Sequence, residues 1–253
     1  MLLVETLRLR AWSLWWAAVI AAIGIVLVVT VQHVHSITVV NVDGTRMNGP
    51  DIPAVALATI AMFLAMIFAT SVGLSLNKEG HTLALTWTKP VARPLIALRI
   101  VAVDVVAVVA AYVFAWLVIL GVVAGCGGSI TGAPAVSTVL ALSLGVALMW
   151  FALIAAITSA LPANTGVVVG FLWPGALILA SLNVHINATI DTIVRLLNVF
   201  NPLAYINGST SASSDGRAAS YWQGAPDERA LIVWLLACVL VAIAVGLWTR
   251  REA

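Results

Sequence analysis

Few side chains in this chain of 253 residues have the types and spacing to do chemistry. Asp104 is the one acid inside a long apolar run, and a carboxylate in hydrocarbon is a functional candidate by default. It stands little more than one helical turn from Arg99, which leaves two roles open. Either the carboxylate is hydrated or paired near the membrane interface, or it lines a translocation path. His33 and His35 are two residues apart, a spacing that puts both on one face only in a strand, and no third ligand is near. They are read as solvated histidines and not as a metal site. Cys126 and Cys238 fall in different segments and cannot make a disulfide framework; both are read as small apolar fillers. Thr70, Ser71 and Ser75 are read as hydrogen-bond partners between helices, and Pro174 as a packing kink. The triplets Asn187-Ala188-Thr189 and Asn207-Gly208-Ser209 fit the glycosylation pattern, which is short enough to arise by chance.

Several chemistries are excluded by motif. There is no Gly-x-x-x-x-Gly-Lys-Ser/Thr loop, so the chain does not bind ATP in the P-loop manner. His-Glu-x-x-His and Gly-x-Ser-x-Gly are missing too, as are the clustered aspartates that hold magnesium in membrane phosphotransferases. No catalytic residue, metal ligand or cofactor site is assigned, and the chain is not expected to be an enzyme. A net charge of +2 without a basic block gives nucleic acid nothing to hold.

The elements that must position these residues follow from composition. Apolar residues make up 62% of the chain and charged ones 9%, with a mean hydropathy of +1.11. A soluble domain is nearer 45–50% apolar and about 25% charged, so this composition reads as an integral membrane protein. A spanning helix needs about 20 apolar residues. Six segments qualify: Trp12–Val31, Pro53–Leu76, Ile100–Gly125, Ala135–Ala160, Gly166–Leu182 and Leu231–Thr249. The first is too long for the apolar stretch of a signal peptide and is read as a span. The expected fold is therefore an all-α, six-span membrane domain covering residues 1–253.

With six spans both termini share a side. That side carries Arg8, Arg10, Lys78, Lys89, Arg93, Arg99, Arg250 and Arg251, against Arg46, Arg195, Arg217 and Arg229 on the other. Positive charge marks the cytoplasmic face, so the termini and the loop 77–99 are expected inside. The abundance of Ala and Val points to a bacterial source and hence to the bacterial cytoplasmic membrane. Trp12, Trp15, Trp16 and Trp248, each close to arginines, read as anchors at the inner interface. Leu2, Leu3, Leu7 and Leu9 around Glu5, Arg8 and Arg10 predict an N-terminal interfacial helix. In the outer segment 183–229, Ile190, Ile193, Val194 and Leu197 recur at helical spacing and predict a short amphipathic helix ending before Pro202.

The loop between the second and third spans is the most specific stretch. A Glu79-Gly80-His81-Thr82-Leu83 segment starts a short helix that must stop by Pro90, and Pro90-Val91-Ala92-Arg93 turns the chain back. Leu83, Leu85 and Trp87 have little reason to face water, and a soluble partner with a groove would cover them. A turn that packs against the bilayer accounts for the same residues. The pattern resembles the loop between the second and third spans of ABC type-2 exporter permeases, in which Glu-x-Gly-Thr-Leu leads to Pro-Val-Ser-Arg. The matching residues are Glu79, Gly80, Thr82, Leu83, Pro90, Val91 and Arg93, with His81 inserted and Ala92 in place of Ser. Asn201, Pro202 and Tyr205 repeat an Asn-Pro-x-x-Tyr stretch found in some relatives. Outside the loop the likeness is one of topology.

The resemblance implies a permease subunit without its own motor. Two P-loop ATPase subunits, holding ATP and magnesium, would dock on residues 79–90, and a second permease copy or a homologue would complete the path. The expected cargo is a drug, natural product or lipid-like molecule. The alternative is a stand-alone channel or secondary transporter not driven by ATP.

Overall fold

The computed structural model describes residues 52–74, 93–125, 130–131, 136–161, 199–202 and 226–251, together with residues 19, 22, 23, 26, 175, 189, 192 and 205. Four helices make up most of it: α1 Ala54–Gly73, α2 Arg93–Gly125, α3 Val136–Ala160 and α4 Pro226–Arg251. Three of them contain segments long and apolar enough to cross a membrane, namely Pro94–Gly125, Thr138–Ala160 and Glu228–Arg250. The chain is thus a helical membrane protein. The 20 residues of α1 are equally apolar and reach about 30 Å. The expected first and fifth spans lie outside the described residues, apart from Val19, Ala22, Ile23, Val26 and Gly175, which are helical. So does the expected N-terminal interfacial helix.

Two helix starts differ from expectation, for one physical reason. α2 begins at Arg93, not Ile100, and α4 at Pro226, not Leu231. The apolar criterion finds the part of a helix that sits in lipid, whereas the helix begins where the backbone is primed. Proline is tolerated in a first turn, where its missing N–H has no partner to lose; Pro94 and Pro226 both stand there. Asp227 and Glu228 add negative charge at the start of α4, and Arg250 and Arg251 positive charge at its end, both favourable to the helix dipole. At 33 residues α2 is about 50 Å long, longer than the roughly 30 Å of hydrocarbon. The loop expected over 77–99 therefore ends by Ala92, and the outer segment expected over 183–229 ends before Pro226.

One pairing departs from the all-α expectation. Ile52–Pro53 lies parallel to Ile130–Thr131, with Ile52 opposite Ile130. This two-residue pair fastens the start of α1 to the connection between α2 and α3. α1 and α3 consequently run in one direction with α2 antiparallel between them in sequence. α4 runs parallel to α3, since Trp234 near its start bonds Ala141 near the start of α3.

The core is centred on α3. Every residue from Gly145 to Ala156 is buried, as befits a helix apolar all round. α4 packs on it with the stripe Ala230, Val233, Ala237, Leu240, Ala244 and Trp248. α1 uses Ala61, Ala65, Ala69 and Gly73, small residues every fourth position. Such residues let helix backbones approach where lipid offers no hydrophobic drive to association.

Candidate functional site: the polar links of the helix bundle

Of the residues that carry the family resemblance, Glu79, Gly80, Thr82, Leu83, Pro90 and Val91 lie outside the described residues, as do His33, His35, Cys126 and Ser75. Arg93 is described as the first residue of α2. The loop it closes joins the end of α1 to the start of α2. Within the bundle the structure brings together a different set: hydroxyls, indoles and helix carbonyls placed between helices.

The α1–α3 interface holds the most of them. Trp150 donates its indole N–H to Thr70 Oγ1 at 2.9 Å, and Thr70 Oγ1 in turn donates to Met66 O at 2.9 Å. Thr158 Oγ1 lies 3.1 Å from Gly73 O on the neighbouring helix and 2.8 Å from Ile154 O on its own. Gly73 is indispensable to this approach, because a Cβ there would stand 2.9 Å from Ile154 Cγ2 and 3.3 Å from Phe151 O. Thr70 is thus the interhelical partner expected of it, while Ser71 donates within its own helix, to Phe68 O. The α3–α4 interface repeats the device. Trp234 Nε1 donates to Ala141 O at 3.0 Å, and a Cβ on Gly145 would meet Trp234 Nε1 at 2.9 Å. Contacts of this kind between membrane helices are worth about 0.6 kcal/mol each, up to roughly 1.7.

α2 meets α3 through Tyr112, whose phenol is 2.6 Å from Ser143 Oγ. Ser143 donates its one hydrogen to Leu140 O at 3.2 Å, which leaves Tyr112 as the donor to Ser143. Asp104 lies two turns earlier on the same stripe as Ile100, Val108 and Tyr112 and is 1% exposed. It is therefore an interior group with an interaction of its own, not a hydrated carboxylate at the interface.

Two further expectations are corrected. Trp248 is buried in the core cluster and is not an interfacial anchor; Cys238 is exposed on α4 and fills no interior space. The end of the outer amphipathic segment is also informative. Val199 is helical, Asn201 breaks the helix, and Pro202 opens a new turn. Asn201 and Tyr205 are buried, and Tyr205 donates its hydroxyl to Val199 O at 2.6 Å across the break. Burial pushes the Tyr205 phenol up to about 12, because an ionised phenolate would be poorly solvated there.

Tyr112, Ser143, Trp150, Thr158 and Trp234 are the polar-link residues that sequence reasoning passed over. Their signal is a hydroxyl or indole inside an apolar run, since each needs a partner where there is no water. Which partner each takes is set by the packing of distant segments. Among the described residues no group of three or more His, Cys, Asp or Glu is gathered. What the described clusters do chemically is fasten helices. Comparison with protein-family models, with curated proteins and with solved structures finds no match.

Proposed function

We propose that this chain is the membrane-spanning subunit of an ABC type-2 exporter, with six spans and both termini in the cytoplasm of a bacterium. The observation that carries the reading is the Glu79-Gly80-x-Thr82-Leu83 to Pro90-Val91-x-Arg93 pattern in the loop between two apolar helices. Support also comes from the helices on either side. α1 ends at Gly73 and α2 begins at Arg93, so the pattern falls in the connection between two apolar helices. In this reading two separate ATPase subunits dock on the 79–90 segment. Closure of the ATPase pair on ATP pushes the segment, and the attached helices carry the push through the bilayer. The permease contributes the path and the coupling surface and hydrolyses nothing itself.

Purification of the tagged chain from its native host in mild detergent tests this directly. A soluble P-loop ATPase recovered at about one per permease is the expected result. Glu79→Ala, or a glycine inserted beside Thr82, should leave both subunits folded and associated yet abolish permease-stimulated ATP hydrolysis. Asp104, buried in a span, is the observation that favours the second reading, an ATP-independent transporter. Cargo transport by the purified chain alone in liposomes, driven by an ion gradient without ATP, would establish that reading in its place.

A further inference from the structure

A buried N–H without an acceptor is costly where no water reaches it, and each one in a native structure calls for an explanation. Trp150 and Trp234 place their indole N–H groups on acceptors of neighbouring helices. Trp116 of α2 does not: its Nε1 is buried and has no hydrogen-bond partner. Ser159 Oγ also lacks one, but a helical hydroxyl can turn onto the carbonyl one turn back, as Thr70 and Thr158 do. A rigid indole cannot fold back onto its own helix in that way. Trp116 stands one turn beyond Tyr112 on the same flank of α2, and its ring approaches that phenol without bonding to it. Tyr112 gives its hydrogen to Ser143, and Ser143 gives its own to Leu140 O. The cluster at the α2–α3 contact thus holds one donor more than it uses.

We propose that Trp116 is the anchoring donor of a ligand site beside the Tyr112–Ser143 pair. Its ligand is a neutral amphipathic molecule with a carbonyl or ether oxygen set in an aliphatic body. The unused donor calls for an acceptor, and the surroundings set the rest. Ala115, Ile119 and Leu120 along α2 and Leu140 on α3 are apolar members or neighbours of the core. A charged oxygen would bring the desolvation cost of an ion into such surroundings, so the acceptor is a neutral one. The Trp116 ring is only partly buried and its nitrogen is the covered part, so a turn of the side chain opens the donor to a molecule arriving from the lipid. The nearer end of α2 is Gly125, nine residues and about 14 Å away. A bilayer lipid in its usual register keeps its ester oxygens at the edge of the hydrocarbon, beyond this depth. The inference deepens the exporter reading by naming a class of cargo and one contact for it. It rests on that reading for the ligand's being carried, not for its being bound.

The test uses the full chain in nanodiscs with isotope-labelled indoles, read by nuclear magnetic resonance. The Trp116 indole signal is the one lost in Trp116→Phe, or in Trp116→Tyr if the first variant is not monodisperse. The probe is N,N-dimethyldodecanamide, which carries one strong acceptor and no donor; dodecane is its control. The Trp116 indole proton should move downfield with the amide and saturate, and should stay in place with dodecane. Trp116→Phe should bind the labelled amide roughly tenfold more weakly, the loss of one hydrogen bond. A proton that responds to neither probe, or to both alike, overturns the proposal. So does one that shifts upfield when ester lipids are exchanged for diether lipids, since its acceptor is then the bilayer's own carbonyl. Binding to the chain alone decides the site and copurification of an ATPase decides the exporter reading, so either can fail while the other stands.

Discussion

α2 and α3 are both long, uncharged at their centres and apolar enough to cross a membrane, yet they are built for different work. Within the apolar window of α3, 72% of the residues are buried in the protein, against 28% for α2 and the same 28% for α4. α3 is in close contact on two sides, with its Gly145 beneath Trp234 of α4 and its Ile154 against Gly73 of α1. α2 leaves its glycines bare. In water this contrast would mark α2 as badly packed; in lipid an exposed aliphatic face costs nothing, and the contrast separates the central helix of the bundle from helices that share their surface with lipid.

The largest effect is expected from filling the glycines at the close helix contacts. Gly73→Leu puts a side chain where Ile154 Cγ2 and the Phe151 carbonyl already stand, and a backbone atom cannot step aside. The expected loss is about 3 kcal/mol, at the upper end for overpacking. It should be read as a lower midpoint in denaturant titration of the chain in mixed micelles. The same substitution at Gly121, which faces open space, should not lower the midpoint. Equal losses at both positions would mean that the Gly121 face of α2 is covered as closely as Gly73.

Asp104→Leu comes next. The acid is buried and engaged, so its removal strands whatever group it meets, at a cost of about 2 kcal/mol. Asp104→Asn, which keeps hydrogen-bonding capacity, should lose less. An undiminished midpoint in Asp104→Leu would free the residue from any structural role and leave the translocation path as its remaining assignment.

How much of this was legible in the sequence depends on whether the cause is local. α1 and α3 were read within a few residues because each is bounded by the end of an apolar run. The starts of α2 and α4 were missed because hydropathy sees the lipid-embedded part and not Pro94 or the Pro226-Asp227-Glu228 start. Thr70 was picked out as an interhelical partner from its chemistry, but Trp150, its donor, is 80 residues away and belongs to another run. Trp248 was misassigned for the same reason: a tryptophan beside Arg250 looks interfacial until α3 is placed against it. The 79–93 pattern is legible only by likeness to a family, and no packing argument replaces that.

Outside the spans, Tyr205 offers a smaller and pH-dependent effect. Its phenol is pushed up to about 12 from an ordinary value near 10. A raised folded-state value means that its contribution is intact below about pH 10 and is lost as pH rises through about 12. Tyr205→Phe should cost about 1 kcal/mol at neutral pH through the lost bond to Val199 O. It should also remove that tyrosine's share of the alkaline loss. Tyrosinate absorbance at high pH should lose one late-titrating phenol in the variant. A phenol titrating near 10 at this position would mean that the outer segment is solvated and not seated in the bundle.

The smallest expected effect is also the most discriminating. A glycine inside a helix costs about 1 kcal/mol relative to alanine, and at Gly73 and Gly145 close packing offsets that cost. Nothing described does so at Gly121 or Gly125, where a methyl group meets nothing within 4 Å. Gly121→Ala should therefore raise the denaturation midpoint slightly, by up to about 1 kcal/mol of added stability. If it lowers the midpoint instead, something approaches the α2 backbone there as closely as Ile154 approaches Gly73. Dilution then identifies the source. A loss that grows as the protein is diluted into excess detergent belongs to contact between chains, whereas one independent of concentration belongs to this chain alone. Either form of loss would show that the glycine face of α2 is an interface and not a surface open to lipid.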